Sequence, residues 1–354
     1  MQENPHRLFY ELTMTLLSMY INKCLSLLRL GRSWFSRLLG SIVEAGRTIS
    51  YVETVNPKQS DTLHKEIKWC DIQFLKRAFE QAVRKGIKSM RLGIVKVAID
   101  VTEEPYWGKD GEYNTRTKVH EKSDESWQYI NLSIVDPKFI PLMSLPYRQI
   151  DNLDNLVMDL LDYLHSLPLR VSLVLFDRGF YHWKLIDYLE NRRGGRPWPY
   201  LIFVPKNNAM KAFISQTRGK LGVFKHEGVH LKDKTGWKPA TKIVICKGIG
   251  KNKKGNPIDW CFATNQRASL NLVWIYRKRW NIETGFRIQD EARIKSKSSN
   301  PLIRFFYHLL SMLIILMWRL HNYLEPYIVF KRYLKCLEQK YLGNEKPPPV
   351  KLSG

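Results

Sequence analysis

Three carboxylates stand out in the sequence because each lies where a predicted element meets a cleft. Asp100 follows the apolar run 94–99, Asp177 follows the apolar run 171–176, and Glu283 lies inside a basic predicted helix. Open α/β sheets bind ligands at the carboxyl ends of their strands, so we expect the two aspartates to face such a cleft. Carboxylate oxygens are ligands that Mg²⁺ or Mn²⁺ prefers. Three of them indicate a site for two divalent ions.

The charge balance indicates what such a site would act on. The 354 residues include 57 Lys and Arg against 33 Asp and Glu, a formal net charge of +24. An excess of this size favours a polyanionic partner, nucleic acid above all, although it also fits a merely solubilising surface. Two divalent ions held by carboxylates catalyse phosphodiester cleavage. The 44% of hydrophobic residues excludes wholesale disorder.

Cysteine usage and hydropathy bear on the compartment. The five cysteines are scattered and form no CxxC pair, which fits a reducing cytosol. The apolar run 309–318 is about half the length that a membrane span needs, so we predict a buried helix there. We therefore expect a soluble, cytoplasmic protein with no membrane partner.

The late basic helix carries the most specific spacing in the chain. At about 100° per residue, Tyr276, Arg279 and Glu283 share one face, which Arg287 and Asp290 continue. A phenol, a guanidinium and a carboxylate on one face can hold a phosphate beside a metal ion. The alternative is a solvated helix in which Arg279 and Glu283 form an ordinary ion pair one turn apart.

The elements that must position these residues follow from hydrophobic periodicity. We predict a helix over 72–85 and strands over 91–101, 126–135 and 140–149. Next come a helix over 152–167, capped by Asp151 or Asn152, and a strand over 170–176. They are followed by a helix over 183–190 and a strand over 200–205. The last helix begins near Ser269 and runs to Glu291. This order is that of an α/β, ribonuclease-H-like catalytic core, a mixed sheet flanked by helices.

Five segments organise the chain. Residues 1–88 form an N-terminal helical domain with possible DNA-binding function, although no helix-turn-helix signature supports it. The core's first part covers 89–206 and its last part, with the Glu-bearing helix, 266–325; an inserted β-rich subdomain covers 207–265, and a basic C-terminal tail covers 326–354. The insertion is predicted because a structureless loop of that length is uncommon inside a compact domain.

The spacing of Tyr276, Arg279 and Glu283 resembles the opening of the YREK signature of insertion-sequence DDE transposases, the insertion-sequence-four-like superfamily. The segments 98–102 and 176–180 resemble that family's first and second acidic motifs, and 200–206 is similar to the strand before its β insertion. The signature's closing Lys falls here on Asp290, and Arg287 is our substitute for it.

The resemblance implies a cut-and-paste DNA transposase. It implies metal-dependent phosphodiester hydrolysis at transposon ends and strand transfer of the 3′ hydroxyl into target DNA. Asp100, Asp177 and Glu283 would be the catalytic ligands of two Mg²⁺ (or Mn²⁺) ions. The partners would be double-stranded DNA, both transposon ends and target, and a second copy in a homodimeric synaptic complex. The DNA-contacting residues would be Tyr276, Arg279, Arg287, Lys206 and Trp260, with Trp260 or Trp237 stacking on a flipped base.

Other functions share part of this pattern. A metal-dependent DNA nuclease or resolvase would use the same acids without strand transfer, and a catalytically inactive relative would only bind DNA. The segment 226–230 matches the His-Glu-x-x-His zinc pattern, which requires a helix. Its flanks predict strands and turns, so we expect no zinc protease.

Overall fold

The structure is a computed structural model that describes residues 67–68, 71–106, 113–116, 125–148, 150–191, 196–228, 239–252, 254–293, 296 and 298–342. The chain divides into two compact units. One comprises Leu92–Tyr106 and Glu112–Gly285, and the other comprises Met1–Arg91, Trp107–Gly111 and Phe286–Gly354. Residues 1–66, which hold most of the predicted N-terminal domain, lie outside the described residues.

The described residues form nine strands and eight α-helices. The strands are β1 (Ile94–Tyr106), β2 (Asn114–Arg116), β3 (Glu125–Asp136), β4 (Ile140–Tyr147), β5 (Arg170–Phe176), β6 (Tyr200–Phe203), β7 (Leu221–Glu227), β8 (Ala240–Cys246) and β9 (Trp260–Thr264). The helices are α1 (Ile72–Met90), α2 (Leu153–Ser166), α3 (Trp183–Glu190), α4 (Asn208–Gln216), α5 (Leu272–Arg277), α6 (Trp280–Ala292), α7 (Pro301–Leu324) and α8 (Phe330–Leu342).

All nine strands form one mixed sheet. Their order is β4-β3-β1-β5-β6-β9-β8-β7, and β2 shares the outer edge of β3 with β4. β4, β3 and β1 are antiparallel neighbours, whereas β5 is parallel to both β1 and β6. The mixed α/β sheet predicted from the sequence is therefore confirmed.

The pairing of β1 with β5 aligns the two aspartates. The last pair in register is Ile99 with Phe176, so Asp100 and Asp177 follow at the same level of adjacent parallel strands. β5 ends there, but β1 continues to Tyr106 because it still pairs with β3. The strand predicted over 91–101 therefore ends too early, and Asp100 does not lie at the carboxyl end of β1: only β5, the neighbour on one side, ends at that level.

α2 shows why the flanking helices form where they do. The side chain of Asn152 caps it by accepting a hydrogen bond from the Asn155 amide at 3.1 Å. Asp151, the other predicted cap, accepts from Arg148 instead, at 2.8 Å. The apolar stripe of α2, including Leu160, is buried and packs against β3 and β4.

The strands predicted for the inserted segment are present, and they continue the core sheet. β9 pairs with β6, β8 with β9, and β7 with β8, all antiparallel. Both His226 and Glu227 lie in β7, and the His226 ring packs 5.2 Å from that of Trp183. The strand predicted for the flank before the zinc-like pattern is confirmed, and it extends through His226 and Glu227; His230 lies outside the described residues.

The described residues of the other unit include the helices α1, α7 and α8. α1 packs against α7, with Gly86 facing Leu316, and the Asn300 side chain caps α7 through the amides of Leu302 and Ile303. Within the described residues one helix, α7, is long and apolar enough to cross a membrane, but 89% of its most apolar window is buried. The buried helix predicted over 309–318 is confirmed.

Candidate active site

The late helix is in two pieces. Lys278 and Arg279 separate α5 from α6, and their amides bond three residues back, to Ile275 at 3.1 Å and Tyr276 at 2.9 Å. This spacing is that of a 3₁₀ turn. The prediction of one continuous helix was therefore wrong at this point.

Contacts with β3 explain the turn. Asn281 Nδ2 donates to the Val135 carbonyl at 2.8 Å, and Lys278 Nζ lies 3.6 Å from Asp136 Oδ1. Asp136 also pairs with Lys96 of β1 at 2.6 Å. Both contacts hold the turn against the end of β3, so the side chain between them, Arg279, points toward Asp100 on β1.

Arg279 bridges two of the predicted metal ligands. Its Nη1 donates to Asp100 Oδ2 at 2.5 Å and its Nη2 donates to Glu283 Oε1 at 3.1 Å. Arg279 is only 6% exposed, a burial that is unfavourable for an unpaired charge. Burial acts to lower the pKa of Arg279, but Tyr276 and the nearby acids, Asp177 included, outweigh it and raise that pKa.

Tyr276 holds the third acid. Its hydroxyl donates to Asp177 Oδ1 at 3.1 Å, while its ring packs among those of Phe203, Trp260 and Phe262. Burial is the main reason why the pKa of Tyr276 is raised. The phenol therefore stays protonated and remains a donor to the carboxylate.

The negative charge of Asp100 is disfavoured by the burial of its carboxylate. Burial raises its pKa from an ordinary 3.8 to about 6; Arg279 opposes the rise, and the charges of Asp177 and Glu283 add to it. Among the described residues, its Oδ1 accepts from the next amide, Val101, at 3.0 Å. A cation beside this carboxylate is thus strongly favoured, and Arg279 provides one.

The donor types fit a hard divalent ion, but their arrangement does not. Carboxylate oxygens suit Mg²⁺, and Arg279 and Tyr276 link all three predicted acids into one region. Among the residues that the structure describes, however, no group of three or more His, Cys, Asp or Glu side chains is placed to hold a metal ion. A guanidinium lies between Asp100 and Glu283 instead.

The remaining predicted site residues are placed differently. Trp260 is 6% exposed, and its Nε1 donates to the Ile249 carbonyl at 2.8 Å, so its ring is unavailable for stacking in this structure. Lys206 is exposed, just after β6. Arg287 is exposed and belongs to the other unit, and Trp237 lies outside the described residues.

Exposed indoles beside the site were missed in the sequence. Trp274 and Trp280 are 54% and 46% exposed, and the Arg277 guanidinium lies 4.4 Å and 5.7 Å from their ring centroids. These two tryptophans could have been predicted as site residues, because they flank Tyr276 and Arg279 in the sequence. The role of Asp136 could not have been predicted, because its partner Lys278 is remote in sequence.

The sheet and the acids define a class of protein. An antiparallel β4-β3-β1 meander followed by parallel β5 and β6, with acids on β1, after β5 and on a late helix, is the ribonuclease-H-like arrangement. Residues 154–318 match the sequence model of a family described as "Transposase DDE domain". That match contains Asp177 and Glu283 and begins after Asp100.

A solved structure shares this fold. It is the cryo-EM structure of a piggyBac transposase synaptic complex with hairpin DNA, which aligns at a TM-score of 0.58 and 12% identity over 90% of this chain and 73% of that one. Identity this low shows the fold alone. No curated protein matches the chain. Both comparisons identify DDE transposases as proteins that this chain resembles, in the sequence of residues 154–318 and in fold.

Proposed function

We propose that this protein is a cut-and-paste DNA transposase. It would hydrolyse phosphodiesters at transposon ends and transfer the freed 3′ hydroxyl into target DNA. The observation that carries the proposal is the meeting of Asp100, Asp177 and Glu283, from two adjacent strands and a late helix, around Arg279 and Tyr276. The YREK-type spacing, the family match over 154–318 and the shared fold support it.

The chemistry of such a site divides between metal ions and protein. When bound, two Mg²⁺ or Mn²⁺ ions would supply the activation of the attacking oxygen and the stabilisation of the leaving one. Asp100, Asp177 and Glu283 would hold them. Arg279 would donate to a non-bridging phosphate oxygen, for which the planar guanidinium is suited, and Tyr276 would orient Asp177.

The partner is double-stranded DNA, supplied as transposon ends and as target. The net charge of +24 favours binding through counterion release, and Lys206 and Arg287 are exposed cations that could contact phosphates. A homodimer would pair the two ends. Such an enzyme would work on DNA in the cytoplasm, and the predicted 1–88 domain would recognise the terminal repeat.

A joining assay tests this proposal. The purified protein is incubated with Mg²⁺, duplexes that carry the inverted repeats flanking its coding region, and a supercoiled target plasmid. Joined products support transposition. Cleavage without joining indicates a nuclease or resolvase, and retarded bands alone indicate an inactive DNA-binding relative; either result contradicts the proposal. Asp100→Asn is the control that should abolish both cleavage and joining.

A further inference from the structure

The guanidinium of Arg279 holds the carboxylate oxygens that a divalent ion would need. It contacts Asp100 Oδ2 at 2.5 Å and Glu283 Oε1 at 3.1 Å. Because the two carboxylates carry the same charge when ionised and Asp100 is largely buried, a cation between them is strongly favoured. Only one positive group can take that place at a time: a guanidinium between the carboxylates excludes a metal ion held by the same oxygens.

The guanidinium is not fully satisfied where it lies. Arg279 Nε is buried and has no hydrogen-bond partner among the described residues. A buried donor left without a partner costs about 1–3 kcal/mol. Arginine binds phosphate through paired N–H groups, so a DNA phosphate at this site would offer Arg279 the acceptors that the two carboxylates do not.

We propose that Arg279 occupies the metal position in the free protein, and that a DNA phosphate draws it away so that divalent ions can bind. This inference rests on the proposed function and concerns the order in which its site is assembled. Metal and Arg279 compete for Asp100 and Glu283, and metal and DNA therefore strengthen each other's binding. By linkage the strengthening is reciprocal. The free protein holds a site that stays closed to divalent ions until substrate arrives.

The experiment measures Mn²⁺ binding to the full chain by calorimetry and by the loss of the free-ion EPR signal. Wild type is compared with Arg279→Gln, which removes the competing cation. Lys184→Gln is the matched control: it makes the same change of charge on α3, where Lys184 Nζ donates to Asn155 Oδ1 at 2.8 Å rather than to any of the three acids. Thermal melting establishes that each variant is folded. Asp100→Asn identifies which part of the Mn²⁺ signal belongs to this site.

Without DNA, Arg279→Gln should bind Mn²⁺ about tenfold more tightly than wild type, within the 5–150-fold range usual for coupled binding. Lys184→Gln should remain close to wild type. With a duplex that carries the terminal repeat, wild type should gain Mn²⁺ affinity and Arg279→Gln should gain clearly less. If Arg279→Gln is poorly folded, Arg279→Lys serves, since one ammonium keeps the charge but cannot bridge both carboxylates; its Mn²⁺ affinity should exceed that of wild type.

Equal Mn²⁺ affinity of wild type and Arg279→Gln would overturn the inference, as would equal strengthening by DNA in both. Neither result touches the proposed function, which the joining assay tests separately. Conversely, suppose that the protein neither cuts nor joins DNA but that Arg279→Gln binds Mn²⁺ tenfold more tightly than wild type. The competition between Arg279 and metal would then stand, and the transposase function would be rejected. The two failures are therefore distinguishable.

Discussion

The hydroxyl of Tyr276 donates a hydrogen bond to Asp177 Oδ1 at 3.1 Å, between residues 99 positions apart in the sequence. The contact joins α5 to the residue that follows β5. Asp177 has no backbone partner of β1 beside it, since the β1–β5 pairing stops at Ile99 and Phe176. The phenol therefore fixes the orientation of a carboxylate that the sheet itself leaves unconstrained.

Tyr276→Phe should lower DNA cleavage while costing about 1–3 kcal/mol of unfolding free energy, the range for a lost hydrogen bond to a charged group. The ring can keep its packing, so the fold should persist. The measurements are cleavage rate and urea denaturation.

Tyr200→Phe is the matched control for that change. Tyr200 is fully buried, and its hydroxyl contacts Glu190 at 2.7 Å and Thr241 at 2.6 Å, away from the three acids. It should lose stability and keep its cleavage rate at temperatures where it is folded. An equal loss of cleavage in both variants would show that Tyr276 acts only through stability.

Removing any one of the three acids should abolish cleavage and leave DNA affinity largely unchanged. Asp100→Ala, Asp177→Ala and Glu283→Ala are the changes, measured by cleavage of terminal-repeat duplexes and by gel retardation. Asp162→Asn on α2 is the control, because this carboxylate is exposed and accepts a hydrogen bond from the Tyr188 hydroxyl of α3, away from the three acids. Near-normal cutting by one alanine variant would remove that residue from the site.

The raised pKa of Asp100 predicts a pH dependence of stability. In the fold the neutral acid is favoured, so its stabilising contribution is full below about pH 4 and is lost as the pH rises through about 6. Asn cannot titrate. The unfolding free energy of wild type relative to Asp100→Asn should therefore fall between pH 4 and pH 7.

The fall should be at most roughly 3 kcal/mol, since one pKa unit corresponds to about 1.4 kcal/mol. Urea denaturation of both proteins across this pH range measures it. A difference that stays constant with pH, or that increases, would show that Asp100 keeps an ordinary pKa in the fold.

Gly285→Ala should destabilise the protein, contrary to the usual gain when Ala replaces Gly inside a helix. A Cβ at Gly285, in α6, would overlap the ring of Phe139, and overpacking costs about 1–3 kcal/mol. Gly93→Ala is the control, because a Cβ there meets nothing within 4 Å. Adding Phe139→Leu to Gly285→Ala should recover part of the loss in thermal melts; strictly additive effects would argue against the overlap.

The sequence predicted the elements that its local pattern determines. The apolar run 170–176 is β5 and the segment 183–190 is α3, at the predicted bounds, since hydrophobic periodicity and turn residues act over a few positions. The interruption at Lys278 and Arg279 was not predictable in this way. It depends on the Val135 carbonyl, 146 residues from Asn281, and residue types on α6 carry no trace of that contact.

The candidate site was predicted by residue type and not by arrangement. The two aspartates were found from their positions after apolar runs, and Tyr276, Arg279 and Glu283 from their spacing on the late basic helix. That Arg279 would lie between two acids could not be read from spacing, because it requires β1 beside the turn. The burial of Trp260 could not be predicted from the sequence either, since it follows from the pairing of β9 with β8 and β6.

The 3₁₀ turn between α5 and α6 does not tolerate a change in the number of residues there. An extra residue between Arg279 and Glu283 would swing Glu283 by about 100° around the axis of α6, away from the guanidinium. An extra residue in the exposed loop around Lys254 and Gly255 changes no direction near the acids. Divergent copies of this protein can therefore lengthen in the loop between β8 and β9, whereas a residue gained or lost between Tyr276 and Glu283 would separate the side chains on which the proposed activity depends.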